Sequence, residues 1–219
     1  NQPGILSTDA VRFGGGMGNV VRRPSGSNNR YLLSSKPRWM EGSRYFLQYS
    51  GMPDTLVYGL NKEINDYNDD YMSRPEWVNF LVGNSRPQYS GRYASGLDIP
   101  VDIAIAVHTD AGVTPNDSVI GTLSIFSTIR NKGKFPDGSS KMASRDLADI
   151  VQTQLVDDIR YQINPQWIRR GMWDREYSEA WRPVVPVMML EMLSHQNLAD
   201  MQYGLDPRFQ FLASRAIYK

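Results

Sequence analysis

The sequence predicts an α/β fold, with helices packed on a sheet. Three observations carry this. Short Val/Ile-rich runs alternate with longer stretches of helical spacing; the apolar runs are too continuous for strands with a wet face; and no internal repeat stands out. At 219 residues the chain can bury a substantial core without staples.

Taken in order, "ILSTDAVRF" reads as a short strand, followed by a glycine-rich and then a Ser/Asn-rich loop. Within that loop "GGGMGN" lacks the Gly-Lys-Ser/Thr ending of a phosphate loop, and no clear helix opens after it, so it is read as a flexible link. From Pro37, Trp39, Tyr45, Phe46 and Tyr49 fall near helical spacing and the segment closes on Gly51, which predicts a helix with a glycine C-terminus. "DYNDDYMSRPEWVNFLVGN" predicts an acidic approach and a second helix, with Trp77, Phe80 and Leu81 turned inward. Residues 101–107 predict a strand covered on both faces, and "SVIGTLSIFSTI" a second strand after a Thr-Pro-Asn-Asp turn. "SSKMASRDLADIVQTQLVDDIRYQIN" places Leu147, Ile150, Val151, Leu155 and Ile159 at helical spacing and is stopped by Pro165. "PVVPVMMLEML" is a last buried strand, and two helical segments end the chain.

Composition narrows the function. The net charge is +1, from 24 basic and 23 acidic residues spread along the chain, so nothing in it prepares a surface for nucleic acid or an anionic membrane. No apolar run approaches the ~20 residues of a membrane span. Zero cysteines exclude a disulfide framework, a thiolate-bound metal and a cysteine nucleophile. The first residue is Asn rather than Met, which raises the expectation of a processed chain or of the later part of a longer one.

Two residues then draw notice. His108, one of only two histidines, and Glu191 each lie at or near the carboxyl end of an apolar strand, where open α/β sheets place their ligands. A carboxylate between "VMML" and "ML" is costly unless it is paired, hydrogen-bonded or bound to metal.

The succession of a strand ending "HTDA", then "GTLSIFST", "SRDLAD", "RRG" and "PVVPVMMLEMLSHQN" resembles, in order and spacing, the later half of the zinc-dependent N-acetylmuramoyl-L-alanine amidases. "DAVRFGGGMGN" and "RGMWDREYSEA" are similar to segments of large secreted bacterial proteins often labelled xanthan lyase, in which a golvesin-like β domain interrupts an amidase-like domain. The resemblance implies a mixed, mostly parallel sheet with helices on both faces, incomplete at its N-terminal side. It implies that residues 1–20 are the end of the inserted β-rich domain and its glycine-rich link, and residues 21–219 the C-terminal part of the amidase-like domain.

On the same resemblance His108 is a zinc ligand and Glu191 the catalytic carboxylate. Arg170, with Gly171, matches the family's Arg-Gly pair and helps place substrate or support the last strand. Asp110 stands where the family commonly has Asn and contacts substrate or supports a ligand. His195 falls four residues after Glu191, as a loop residue lining the site or capping the next helix. The family's other two zinc ligands, a His on a first strand and a Glu on the helix after it, have no match in this chain, so an upstream part of the same polypeptide is expected to supply them. The Asp66, Asp69 and Asp70 cluster aligns with the approach to a family helix, where a solvated or capping role is expected. The implied substrate is peptidoglycan and the implied location the periplasm or cell surface. The alternative is a non-catalytic wall-binding or envelope structural protein that keeps the fold without its metal.

Overall fold

In the computed structural model, residues 42–61, 66–83 and 96–219 are described. The "ILSTDAVRF" strand, the "GGGMGN" link, Trp39 and the boundary expected at residue 20 lie outside them. The chain divides into two compact units, Asn1–Pro100 and Val101–Lys219.

The first unit holds three helices: α1 Gly42–Tyr49, α2 Asp54–Val57 and α3 Asp66–Val82. Gly51 closes the turn after α1 at φ 93°, the left-handed conformation that glycine adopts without a Cβ penalty. Leu47, Met52, Leu56, Val57, Leu60, Met72 and Phe80 form the core, and Trp77 stacks on Phe80. The acidic approach is helical, and two of its carboxylates are buried rather than solvated. Asp69 accepts the backbone N–H groups of Leu60 and Asn61, and Asp70 accepts that of Arg44 and a 2.6 Å bond from Arg74. Both satisfy backbone N–H groups as caps do, from the start of α3.

The second unit is built on a four-stranded mixed sheet of order β1-β4-β2-β3: β1 Ala104–Asp110, β2 Leu123–Phe126, β3 Trp173–Asp174 and β4 Val187–Ser194. The β1–β4 and β2–β3 pairs are parallel and the β2–β4 pair antiparallel. Helices cover both faces. On one, α4 (Met142–Gln162) and α7 (Pro207–Tyr218) pack Val151, Leu155, Val156, Ile159, Phe209 and Leu212 onto Phe126, Met188 and Leu190. On the other, Ala180 of α5 (Ser178–Trp181) sits on Leu123, Ile125 and Met189. The short α6 (Leu198–Gly204) is capped by Asn197, whose side chain accepts from Asp200 N–H.

Three expectations need correction. The strand expected at 101–107 runs from 104 to 110, so His108 lies inside β1 rather than after it. That strand is also not covered on both faces, since Val107 is 53% exposed, and it lies at one edge of the described sheet. Among the described residues only its β4 side is paired, which an apolar run does not reveal. Ile150, expected inward, is exposed. At about 100° per residue it lies about 200° round α4 from buried Ala148, so it belongs to the opposite face.

Gly121 opens β2 at φ +81°, and a Cβ there would come within 2.2 Å of the Ile168 carbonyl oxygen. Gly121→Ala therefore combines left-handed strain of about 1–2 kcal/mol with an overpacking cost of about 1–3 kcal/mol. Denaturant unfolding should show a loss on the order of 2–5 kcal/mol. After β2, a 3-10 turn at Arg130–Gly133 holds Asn131 (φ 58°) and Lys132 (φ 55°) left-handed. Lys132→Gly should raise stability by about 1 kcal/mol in the same measurement, because glycine carries no such strain.

Candidate functional site

The site starts from strand register. β1 and β4 run parallel with His108 opposite Glu191, and Leu123 of antiparallel β2 lies opposite Glu191 on its other side. Side chains alternate along a strand, so His108 shares the face of Ala106, and Glu191 the face of Met189. Both belong to the face covered by α5. The pairing of β1 with β4 then slips between His108 and Asp110, leaving Asp110 opposite Ser194. Such bulges occur beside functional sites and redirect side chains.

Five charged or titratable groups converge here. His108 Nε2 is 3.1 Å from Glu179 Oε2. Asp110 Oδ2 accepts a 2.6 Å bond from Arg170, with both side chains about one quarter exposed (28% and 21%). Burial pushes the Glu191 carboxyl above its ordinary range, and the Asp110 and Glu179 charges add to this; His108 and Arg170 pull it back. The buried Glu191 Oε2 has no hydrogen-bond partner. An orphaned carboxylate oxygen costs free energy, so its place beside an imidazole calls for a functional reason.

The supports come from elsewhere in the unit. Arg170 N–H donates to Thr122 O, and Gln152 Nε2 of α4 donates to both Thr122 O and Arg170 O. Trp167 Nε1–H donates to Thr122 Oγ1, and the Arg170 guanidinium lies 5.7 Å from the Trp173 ring centre. Gly171 has no atom within 4 Å of where a Cβ would stand, so packing does not require glycine there.

Of the residues singled out in the sequence, His108, Glu191, Asp110 and Arg170 are brought together. His195 takes another direction. Its N–H donates to Asp110 O, and its ring Nδ1 lies 3.1 Å from the Thr109 hydroxyl, on a residue that alternates away from His108 and Asp110. Glu179 was not foreseen. It sits in "REYSEAW" with nothing local to distinguish it from Glu176, which instead pairs with Arg130 at 2.6 Å. Only the packing of α5 on the sheet selects it.

A tetrahedral catalytic zinc takes about three protein donors. Among the described residues no three His, Asp or Glu side chains lie close enough to share one ion. His108 fits the part of one ligand and the orphaned Glu191 oxygen that of a proton acceptor nearby; the described residues do not complete the set.

No family model matches the chain, and no curated protein does. Among solved structures, it is similar to the catalytic domain of CwlV, an N-acetylmuramoyl-L-alanine amidase from Bacillus (Paenibacillus) polymyxa var. colistinus. The identity is 16% and the TM-score 0.40, over 53% of this chain and 53% of that one. It is similar to an N-acetylmuramoyl-L-alanine amidase from Clostridium difficile 630 at 14% identity and TM-score 0.41, covering 69% and 78%. For the CwlD amidase from Clostridioides difficile, solved with the GerS lipoprotein, the values are 16% and 0.46, covering 70% and 60%. The chain thus spans about half the length of the first of these structures.

Proposed function

We propose that this chain carries the reacting face of an N-acetylmuramoyl-L-alanine amidase, which hydrolyses the amide between the lactyl group of N-acetylmuramic acid and L-alanine in peptidoglycan. The observation that carries this reading is the in-register pair of His108 and Glu191, with an orphaned buried carboxylate oxygen within β4, three residues before its end. The order of motifs around that pair supports it.

Glu191 is the proton carrier. A carboxylate held above its ordinary pKa is a stronger base than a solvated one, and Oε2 is placed to take a proton from an attacking water. The same oxygen then delivers that proton to the departing amine of L-alanine, so one proton enters and leaves Glu191 in each turnover. Arg170, anchored by Asp110 and Trp173, presents a cation to the polar substrate. The reading includes zinc, with His108 as one ligand and the remaining donors outside the described residues. When bound, the metal would polarise the carbonyl and lower the pKa of water toward ~7. A peptidoglycan substrate would place the protein in the periplasm or at the cell surface.

Arg170→Met tests the substrate contact. KM for a muramoyl peptide should rise about tenfold with kcat nearly unchanged, the pattern of a lost ground-state contact. An equal fall in kcat and kcat/KM would instead place Arg170 in the transition state. Wall binding undiminished by Glu191→Gln, with no hydrolysis by either protein, would favour the non-catalytic alternative.

A further inference from the structure

The chemistry of the His108–Glu179 contact settles more than proximity. A carboxylate only accepts, so at 3.1 Å the Nε2 of His108 is the atom that carries hydrogen. In a neutral ring the lone pair then belongs to Nδ1. The contact is largely withdrawn from water, the imidazole being 24% and the carboxylate 14% exposed. Glu179 is itself on a rigid mount. Its neighbours Ala180 and Trp181 are buried, Ala180 against Leu123, Ile125 and Met189. The Trp181 carbonyl accepts from the buried Lys141 Nζ, and the guanidinium groups of Arg130 and Arg182 each lie 5.0 Å from the Trp181 ring centre. A side chain that must hold a partner's orientation needs that kind of support.

We propose that Glu179 is the positioning residue of this site: it accepts from Nε2 of His108 and so fixes the ring's orientation and its Nε2–H tautomer. This rests on the reading of His108 as a member of the reacting site, but the test reads the ring itself. The positioning partner of a catalytic or metal-bound histidine is worth about 10–100-fold in metal affinity or activity when removed.

The experiment is nitrogen NMR of the full chain with labelled histidine, recorded well above the ordinary imidazole pKa of about 6.5. With only two histidines, His195 serves as the internal control. In the wild type, His108 should show hydrogen on Nε2, with that proton visible and shifted downfield by the carboxylate. In Glu179→Ala the proton should exchange away, while His195 and the tryptophan indole signals stay in place. Glu179→Gln, which keeps the shape, should retain the proton at a less shifted position; it decides the matter if the alanine variant does not fold. Hydrogen on Nδ1 in the wild type, or an unchanged Nε2–H signal in both variants, overturns the proposal. If the tautomer is as stated and no muramoyl-alanine amide is cut, the amidase reading fails and the role of Glu179 stands.

Discussion

Glu191→Gln should abolish amide hydrolysis, by about a thousandfold in kcat, without unfolding the protein. The magnitude follows from what is removed: an amide cannot take up and return a proton, and positioned acid–base groups contribute about 10²–10⁴-fold. Steady-state kinetics with a muramoyl dipeptide checks it. Stability should move the other way. Burial raises the Glu191 pKa above its ordinary value of 4.5, so folding favours its protonated form. The stabilising contribution of that proton is complete below about pH 4.5 and is lost as pH rises through the higher folded value. The wild type should therefore lose stability over that rise, while Glu191→Gln, with no proton to lose there, should not; thermal melts of both proteins across it read the difference. A glutamine that lost activity by unfolding would fail this comparison at once.

Trp167→Ala should cause the largest loss of stability among core substitutions, about 3–5 kcal/mol. Trp167 is fully buried, with ring centres 5.2 Å from Tyr203 and 5.4 Å from Phe209, so truncation empties space between α7 and the segment leading to Arg170. It also removes the indole donor to Thr122 Oγ1, whose backbone carbonyl accepts from Arg170 N–H and Gln152. The effect should therefore reach the site. Trp167→Phe, which keeps most of the volume but not the N–H, should cost less stability while still loosening Arg170. Urea unfolding and KM for the same substrate, measured on both variants, separate the packing loss from the lost hydrogen bond.

The distinction between what the sequence showed and what it hid follows from the range of each signal. α4 was legible because its apolar residues repeat every turn over 21 residues, and only Ile150, on the far side of the helix, misled. β4 was legible as an apolar run broken by one carboxylate, and that break led to Glu191. The setting of β1 was not legible. A Val/Ile-rich run reports that side chains avoid water, but not whether one edge or two are paired. The burial of Asp69 and Asp70 was hidden for a related reason. Adjacent acidic residues suggest a wet surface, and only the tertiary arrangement supplies the backbone N–H groups and Arg74 that satisfy them. His108, Asp110, Arg170 and Glu191 could be named because motif order carried them. Glu179 and Gln152 could not, since their roles exist only once α5 and α4 lie against the sheet.

The bond that is cut identifies the activity. The direct measurement is mass spectrometry of the products formed when the protein, joined to the upstream polypeptide expected to hold the remaining donors and supplied with zinc, is incubated with a purified muramoyl peptide. The expected result is release of a peptide with a free L-alanine amino terminus and an intact lactyl-bearing sugar, present with the wild type and absent with Glu191→Gln. Cleavage within the sugar chain or between amino acids, the same products from Glu191→Gln, or no product at all would contradict it.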